Sequence, residues 1–498
     1  MDASVLLEPL PMWTSGESRA GSQPGRTGRL LAAVCAALAV FGGPATAETF
    51  DAPETLSAFR SLSSNEEAYC SRIALIRKAQ TRIDIQTYIL TPDITGSGLV
   101  RELEAAAGRG VAVRLLLDDY GSHKAKPRLD RLRRLPGVEI RYINASRNQG
   151  LLRRVDYVLR FGQLNRRMHN KSFIVDDQSA IVGGRNIGDV YFRRGGVVFS
   201  DLDVIIEGPA LTDLKRVFDI YWDSPLTVPL DDVAPLPAKP RPIQDPSPEL
   251  TPTCSAPAEG QPRPLQPVPA VVFSDPPTKL SRAPDAAPVF DPVRDQIRRE
   301  IETPSRSIYI VSPYFIPNDR WVHQLVALRA EGVEIGILTN SGRATNSTPV
   351  HAAYSKYRRE LLKGGVRLFE FKPTAPTVEE PDLEFAGLRS RSTLHAKTFA
   401  VDDQKLFVGS FNFDPRSVSL NTEMGIILRS PQAAGGVRTY FEVGARTSAY
   451  ELRMQSDRIV WVDSTATGEK VLKREPGINL FHRAILKALA LAPIEHLL

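Results

Sequence analysis

The sequence predicts the α/β fold class, with two similar α/β domains in one chain. Two observations point to it: an internal repeat, and an alternation of strand and helix patterns within each copy. The stretch RIDIQTYILTPD (82–93) is similar to RSIYIVSPYFIPND (306–319). In both stretches apolar and polar residues alternate and then meet a proline, which predicts a strand that runs into a loop.

A helix and a second strand follow in each copy. Helical periodicity marks LVRELEAAAGRG (99–110) and WVHQLVALRAEG (321–332), each with a glycine at its end. Buried strands are predicted for VAVRLLLD (111–118) and VEIGILTN (333–340). Units of this kind pair their strands in parallel through right-handed crossovers. Each domain is therefore predicted to be a sheet flanked by helices.

The length of 498 residues allows two domains and additional terminal segments. The hydrophobic content of 42% and the charged content of 24% are typical of a globular protein. We expect five segments: an N-terminal segment 1–48, a first domain 49–224, a proline-rich linker 225–292, a second domain 293–440, and a C-terminal hairpin and apolar helix 441–498.

The segment 225–292 contains 19 of the 39 prolines. This composition buries little apolar surface and predicts an extended or disordered linker, with a docked strap between the domains as the alternative. In the C-terminal segment, RIVWVDST (458–465) and EKVLK (469–473) predict a hairpin. The apolar stretch 479–498 predicts a helix that packs on its own domain or lies on a membrane surface.

Residues 1–48 have the order of a secretory signal. Arg26 and Arg29 precede the apolar run 30–43, and small residues lead to Ala47. We expect cleavage after Ala47, with an uncleaved anchor as the alternative. Cys70 and Cys254 remain in the mature chain. They are expected to be two unrelated thiols, although an oxidising compartment would allow them to pair.

Two H-x-K-x-x-x-x-D motifs carry the chemistry, HNKSFIVD (169–176) and HAKTFAVD (395–402). The agreement continues beyond them, because a glycine and an asparagine follow each motif histidine at the same two distances. Two copies of such a pattern indicate two half-sites related by a pseudo-twofold axis. The candidate catalytic residues are His169, Lys171, Asp176, His395, Lys397 and Asp402.

In a strand, the motif histidine and lysine share one face and the aspartate points to the other. We therefore expect His and Lys to act on one ligand, and Asp176 and Asp402 to tie their strands to neighbouring ones. The candidate ligands for the substrate phosphate are Lys171, Asn186, Lys397 and Asn412, which would stabilise the charge of a phosphoryl transition state.

Two acids that open apolar strands, Asp201 and Glu423, are candidates to orient the imidazoles. Surface acids at strand starts are the alternative. With such support, one imidazole can attack phosphorus to form a covalent phosphoenzyme, while the other protonates the leaving alcohol and deprotonates the incoming one. The sequence contains no obvious carboxylate cluster for a metal, so we expect no metal and no cofactor.

At these motifs the chain resembles the phospholipase D superfamily, and within it the C-type branch of the bacterial cardiolipin synthases. The resemblance rests on RRMHNKSFIVDDQSAIVGGRNIGDVYF, LHAKTFAVDD and GSFNFDPRSVSLNTE. It implies two phospholipase D-like α/β domains, each a mixed sheet flanked by helices, that share one site. It also implies metal-independent catalysis through a phosphohistidine, with His169 as the nucleophile and His395 as the acid and base.

The resemblance implies transfer of a phosphatidyl group to phosphatidylglycerol, with phosphatidylglycerol or phosphatidylethanolamine as donor. The expected partners are phospholipids and a membrane surface, with neither nucleic acid nor an obligate protein partner. We expect a peripheral location on the bacterial inner membrane, at its periplasmic face. Arg166, Arg167, Arg358 and Arg359 would suit an anionic bilayer or belong to ordinary surface charge.

Three other functions remain compatible with the sequence: hydrolysis of phospholipids, a metal-independent nuclease, and a non-catalytic membrane-binding protein. Transfer and hydrolysis differ in whether the acceptor is a lipid alcohol or water. The shape of the acceptor site decides this, and no sequence motif indicates that shape. Two motifs in one chain argue against the nuclease, and their intact residues argue against loss of catalysis.

Overall fold

Two large mixed β-sheets, one from each half of the chain, carry the fold. The computed structural model describes residues 56–146, 148, 150–192, 198–238, 254, 264–282, 291–373, 393–465 and 467–491. The expected signal segment 1–48 lies outside the described residues.

Within these ranges the first sheet has nine strands in the order β10-β1-β8-β6-β5-β2-β3-β4-β9. Their bounds are β1 Ser57–Leu62, β2 Arg82–Thr87, β3 Ala112–Asp118, β4 Val138–Ile143, β5 Ser172–Val175, β6 Ser179–Gly183, β8 Asp203–Glu207, β9 Thr227–Pro229 and β10 Gln266–Val268.

The second sheet, counted over the same described residues, has ten strands in the order β11-β18-β17-β16-β12-β13-β14-β19-β20-β21. Their bounds are β11 Ala270–Ser274, β12 Ser307–Val311, β13 Glu334–Asn340, β14 Arg367–Phe371, β16 Thr398–Val401, β17 Lys405–Gly409, β18 Met424–Leu428, β19 Ala449–Gln455, β20 Arg458–Thr465 and β21 Gly468–Leu472. A short parallel pair joins the halves, β7 Phe199–Ser200 with β15 Thr393–Leu394.

Helices flank both sheets. In the first half they are α1 Asn65–Lys78, α2 Ile94–Gly108, α3 Asp119–Ser122, α4 Lys126–Leu132, α5 Gly150–Leu159, α6 Phe161–Leu164, α7 Asp189–Phe192, α8 Ala210–Trp222 and α9 Leu230–Val233. In the second half they are α10 Pro292–Glu302, α11 Asp319–Ala330, α12 Thr348–Ser355, α13 Arg358–Lys363, α14 Pro415–Ser419, α15 Pro431–Thr439, α16 Ala445–Ser448 and α17 Leu480–Leu491. No helix among the described residues is both long enough and apolar enough to cross a bilayer.

The predicted repeat and fold class are confirmed. Strands β2, β3 and β4 pair in parallel, as do β12, β13 and β14. Helix α2 begins earlier than the sequence pattern predicted, because the side chain of Asp93 caps it by accepting from the Gly96 N–H. Asn318 caps α11 in the same way through the Trp321 N–H.

The two sheets share one hydrophobic core. Val182 and Val204 of the first sheet pack in one cluster with Val408 and Ile426 of the second. These residues belong to a single compact unit that spans 52–498. The interface between the halves is therefore as dry as the interior of either half, and side chains placed along it are removed from water.

The proline-rich segment differs from the prediction. Where the structure describes it, it is the docked alternative: β9 pairs with β4, β10 with β1, and β11 with β18. All three are edge strands of their sheets. Proline lacks an N–H but can occupy an edge, where one side of the strand needs no ladder partner. The expectation of an extended or disordered linker is therefore wrong for these residues.

The two cysteines also differ from the prediction. Cys70 on α1 and Cys254 in the proline-rich segment form a disulfide across a sequence separation of 184, with Cα atoms 5.2 Å apart. The expectation of two unrelated thiols is wrong, because the fold brings together positions whose spacing along the chain carries no signal.

The C-terminal segment contains the predicted hairpin, β20 paired with β21. Helix α17 packs through Leu486 against Ala352 of α12. Its residues Leu480, Phe481 and Leu491 are exposed. The part of the predicted helix beyond residue 491 lies outside the described residues.

We expect reduction of the Cys70–Cys254 disulfide to lower stability by about 3–5 kcal/mol, because the crosslink restricts a long loop of the unfolded chain. Thermal unfolding with and without dithiothreitol measures the effect. The double variant Cys70→Ser/Cys254→Ser is the control and should not respond to the reductant. Equal midpoints for the oxidised and reduced wild type would contradict the crosslink.

Candidate functional site

Each motif histidine is held by the backbone of the other half. The His169 N–H donates to the Thr422 carbonyl at 2.9 Å, and the His395 N–H donates to the Ser200 carbonyl at 2.7 Å. Short parallel pairings support both contacts, one at Met168 and Thr422 and the other between β7 and β15. The two half-sites are therefore joined at the histidines themselves.

The two candidate orienting acids contact the histidines across the same interface. His169 Nδ1 lies 2.9 Å from Glu423 Oε2, and His395 Nδ1 lies 2.5 Å from Asp201 Oδ2. Each acid thus serves the histidine of the opposite half. Because an ionised carboxylate only accepts hydrogen bonds, each Nδ1 carries the proton and each Nε2 keeps a free lone pair.

The two carboxylates are held differently. Glu423 accepts from the Ser410 hydroxyl and, at 2.7 Å, from the Ser417 hydroxyl. Asp201 accepts from the Leu202 N–H at 2.8 Å and packs on Gly184, where a Cβ would come within 2.2 Å of Asp201 Oδ1.

Gly184 and Ser410 occupy the same place in the two repeats, one residue after the matched glycines. The shorter acid therefore needs a glycine beside it, and the longer acid has a serine donor. Sequence reasoning missed Ser410 and Ser417. The glycine-to-serine difference between the repeats was the available signal.

The motif lysines are buried beside the histidines. Lys171 Nζ donates to the His169 carbonyl at 2.5 Å, and Lys397 Nζ donates to the His395 carbonyl. Burial lowers the pKa of Lys171 to about 7 and that of Lys397 to about 8. The charge of Lys397 also lowers the pKa of Lys171, which places both ammonium groups in one electrostatic cluster.

Both imidazoles are biased toward the neutral form. Burial lowers the pKa of His169, and the ammonium of Lys171 acts in the same direction. Burial and Lys397 together lower the pKa of His395 to about 3. The carboxylates stay ionised: burial favours their neutral form, but His395 holds the pKa of Asp201 below its usual value and His169 does so for Glu423.

The two candidate asparagines differ. Asn186 Oδ1 accepts from the Ile89 N–H at 3.2 Å, and its Nδ2 donates to the Tyr191 hydroxyl at 2.8 Å. Asn412 Oδ1 is buried and accepts no hydrogen bond from the described residues. The amide oxygen of Asn412 is thus unpaired among these residues, whereas both ends of the Asn186 amide are committed to Ile89 and Tyr191.

Aromatic rings hold the imidazoles from the side, a feature that the motifs did not predict. Phe199 stacks on His395 with ring centres 5.0 Å apart and planes 2° apart. Tyr191 meets the same imidazole edge-on at 5.2 Å, and Tyr88 meets His169 at 5.4 Å. These contacts limit the rotation of both rings and keep water from their faces.

The proline-rich segment supports the site as well. Ser274 at the end of β11 accepts from Asn170 Nδ2 at 2.9 Å, and the next residue, Asp275, accepts from the Glu423 N–H at 3.1 Å. The end of β11 and the residue after it therefore contact Asn170, which follows His169, and Glu423, which orients the His169 ring.

The motif aspartates are not in the cluster. Asp176 accepts from the N–H groups of Gln80, Thr81 and Arg82 at 2.8–2.9 Å, at the start of β2. Asp402 accepts from the corresponding groups of residues 305–307. Both aspartates lie in turns with positive φ, not in the strand. Both aspartates bind the backbone at the start of a neighbouring strand, as expected from their side of the motif. They are therefore structural residues of the motif and not catalytic ones.

The arginines that were expected to meet a bilayer or solvent are mostly interior. Arg166 is buried and donates to the carbonyls of Lys279 and Ser419. Arg358 is buried and pairs with Glu370 at 2.7 Å. Arg167 is buried too, so of this set Arg359 alone remains partly exposed, where it pairs with Asp457.

This arrangement suits displacement at a phosphodiester. It provides imidazole Nε2 atoms as nucleophile and proton carrier, with ammonium groups for the charge on phosphorus oxygens. Among the residues that the structure describes, no three His, Cys, Asp or Glu side chains are grouped as metal ligands.

The paired α/β sheets and the histidine–acid pairs shared between them define a phospholipase D-like protein. Residues 73–222 and 297–443 match the family model described as cardiolipin synthase, PLD-like domain. The chain belongs to this family, and the resemblance inferred from its motifs is confirmed.

Relatives and a solved structure agree with this assignment. Cardiolipin synthase C of Escherichia coli (strain K12) is 38% identical over 87% of this chain and 94% of its own length. Cardiolipin synthase A of Pseudomonas entomophila is 29% identical over 73% of this chain and 63% of its own. The crystal structure of phosphatidylserine synthase from Haemophilus influenzae aligns with a TM-score of 0.56, covering 89% of this chain and 98% of that one. At 16% identity this last likeness concerns the fold.

We expect Asp176→Ala to lower stability by about 1–3 kcal/mol, because three backbone N–H groups lose their acceptor. Turnover per folded molecule should stay near that of the wild type. Thermal unfolding and activity, measured on the same sample, separate the two effects. His169→Ala is the matched control, with stability retained and turnover lost. An Asp176→Asn variant that unfolds normally and has no turnover would contradict the structural role.

We expect the affinity for sulfate, whose charge is constant over this range, to fall as pH rises from about 6 to about 9, by up to about tenfold per unit. The cause is deprotonation of Lys171 and Lys397, whose pKa values lie near 7 and 8. Calorimetry in two buffers of different ionisation enthalpy should also detect proton uptake near pH 8.

The double variant Lys171→Met/Lys397→Met is the control for this titration. It should bind sulfate weakly, with no proton uptake. An affinity of the wild type that stays constant across the range would show that the lysines keep ordinary pKa values.

Proposed function

We propose that this protein is a phosphatidyltransferase that makes cardiolipin from phosphatidylglycerol and a donor phospholipid through a covalent phosphatidyl-histidine. One observation carries the proposal: two imidazoles, each with Nδ1 bound to a buried carboxylate of the other half, stand beside two buried ammonium groups. Family membership supports the lipid substrate.

In the first step His169 Nε2 attacks the donor phosphorus. The bond from phosphorus to the headgroup oxygen breaks, and His395 gives its proton to the leaving alcohol. The anionic phosphodiester favours the protonated form of His395 when it binds. Glu423 faces the imidazolium of the adduct, and its two serine donors keep the carboxylate in place.

In the second step the glycerol hydroxyl of phosphatidylglycerol attacks the phosphatidyl-His169. His395 takes the proton of this hydroxyl, and the nitrogen–phosphorus bond breaks to release cardiolipin. Both histidines return to their starting states. With phosphatidylglycerol as donor the co-product is glycerol, and with phosphatidylethanolamine it is ethanolamine.

Lys171, Lys397 and Asn412 bind the non-bridging oxygens during both steps. The group of Asn412 that acts in this scheme is Nδ2, because its Oδ1 can only accept hydrogen bonds. Asn186 acts through Tyr191, which packs against His395. It is therefore a positioning residue in this scheme, not a direct ligand of phosphate.

The protein acts at the periplasmic face of the bacterial inner membrane as a peripheral enzyme, after cleavage of its N-terminal signal. The disulfide supports this location, because such crosslinks persist in oxidising compartments.

We expect purified protein to form cardiolipin in phosphatidylglycerol vesicles, with or without phosphatidylethanolamine. His169→Ala should reduce the rate by at least about a thousandfold, since the nucleophile is removed. Mass spectrometry of the lipid products identifies the donor. A primary alcohol added as competitor should be phosphatidylated, which separates transfer from hydrolysis. Phosphatidate as the sole product would establish the hydrolase instead.

A further inference from the structure

Helix α5 presents an apolar stripe to solvent. Leu152, Val155 and Leu159 follow helical spacing on one face, and their exposed fractions are 65%, 46% and 79%. Val158 beside them is 75% exposed. Such a stripe normally faces a core, and exposed apolar patches mark sites of interaction. Among the described residues nothing covers this one.

Polar side chains beside and opposite the stripe attach α5 to the first half. Asp156 accepts from the Ser146 hydroxyl at 2.6 Å, and the Tyr157 hydroxyl donates to Asp119 at 3.3 Å. The helix is thus anchored through polar contacts at the edge of the stripe and behind it, which fixes the apolar stripe in its outward position.

A cavity of about 460 Å³ lies along this helix, a size that suits a small polar ligand. Its wall includes three cations and three tyrosines: Lys126, Arg153, Arg154, Tyr120, Tyr142 and Tyr157. Arg153 pairs with Asp119 and Lys126 with Asp130, so Arg154 carries the excess positive charge. The Tyr142 hydroxyl is buried and has no hydrogen-bond partner among the described residues. The cavity therefore offers excess positive charge together with an unused buried donor.

Direct contacts connect the cavity to the catalytic histidines. The guanidinium of Arg167, two residues before His169, lies 4.6 Å from the ring centre of Tyr120 and 5.5 Å from that of Tyr157. On the other side, Gly121 packs on the Tyr88 carbonyl, where a Cβ would come within 2.1 Å of the oxygen. Tyr88 in turn contacts His169. A lipid held at the cavity would therefore lie beside the site.

We propose that α5 docks on an anionic phospholipid bilayer, with its apolar stripe in the lipid and the neighbouring cavity around the phosphate of a lipid headgroup. The inference rests on the proposed function, in which the substrate is presented by a membrane. Charge complementarity commits it to an anionic lipid, because Arg154 on α5 adjoins the apolar face of the same helix, as in helices that lie in the membrane interface.

The C-terminal helix α17 is the competing surface. It also exposes apolar side chains, Leu480 and Phe481 among them, but it packs on α12 of the second half. None of its residues lines the cavity beside α5. It serves as the internal comparison in the test.

The test is co-sedimentation with vesicles of phosphatidylglycerol or of phosphatidylcholine. All proteins carry His169→Ala so that the lipid is not consumed. We expect Leu152→Gln/Val155→Gln/Leu159→Gln to lower partitioning onto phosphatidylglycerol vesicles by roughly tenfold or more. The control Ile220→Gln/Val443→Gln/Val471→Gln replaces three apolar residues elsewhere that are each about half exposed, and it should bind as the parent does. Unchanged unfolding midpoints show that every variant is folded.

A second variant tests the cavity. Arg154→Gln should weaken binding to phosphatidylglycerol vesicles several-fold and leave the weaker binding to phosphatidylcholine unaltered. Arg216→Gln, which removes an exposed cation of α8, is its control. Equal binding of the parent protein to both kinds of vesicle would overturn the headgroup assignment.

Further outcomes would overturn the docking surface itself. The parent protein could fail to bind vesicles, or the α5 variant could bind as strongly as the parent. Binding could also be lost in a Leu480→Gln/Phe481→Gln variant of α17 and in no other variant. A dimer that the α5 variant abolishes while vesicle binding persists would assign the face to a second copy. Sedimentation requires no turnover, so the docking result holds even if the protein forms no cardiolipin. If docking fails instead, transfer can still be measured in detergent-dispersed lipid.

Discussion

The hydrogen bond that each motif histidine makes across the interface, with its carboxylate partner, is the constraint on which the site depends. Thr422 and Ser200 hold the backbone of the opposite histidines, and the residues that directly follow, Glu423 and Asp201, hold the rings. Backbone and side chain act together, so neither half can present an oriented imidazole alone. The shared core between the sheets keeps these contacts in place.

Burying four charged side chains at this interface would be costly unless they were paired. Two carboxylates and two ammonium groups lie together, and hydroxyl and N–H donors satisfy the acids further. The arrangement keeps the imidazoles neutral and places a buried lysine beside each of them. Burial also lowers the lysine pKa values, and a bound anion would act in the opposite direction by favouring the ammonium form.

The proline-rich segment contributes to the same constraint. It leaves the edge of the first sheet as β10 and enters the edge of the second as β11. At the end of β11, Ser274 and Asp275 contact residues next to both halves of the His169–Glu423 pair. The connection between the domains thus belongs to the scaffold of the site. Helix α5 and its cavity extend that scaffold outward on the side of His169.

The sequence alone determined the repeat, the α/β class, the two histidine–lysine pairs and the identity of the orienting acids. These features follow from periodicity and from equal offsets, which local physics imposes on any copy of the unit. Which acid serves which histidine was decided by the tertiary structure, because only the pseudo-twofold packing exchanges partners between the halves. The same holds for the Cys70–Cys254 crosslink and for the strands of the proline-rich segment, where partners far apart in sequence leave no local pattern. The sequence therefore specifies the chemistry of the site, and the packing of the two halves brings its groups into contact.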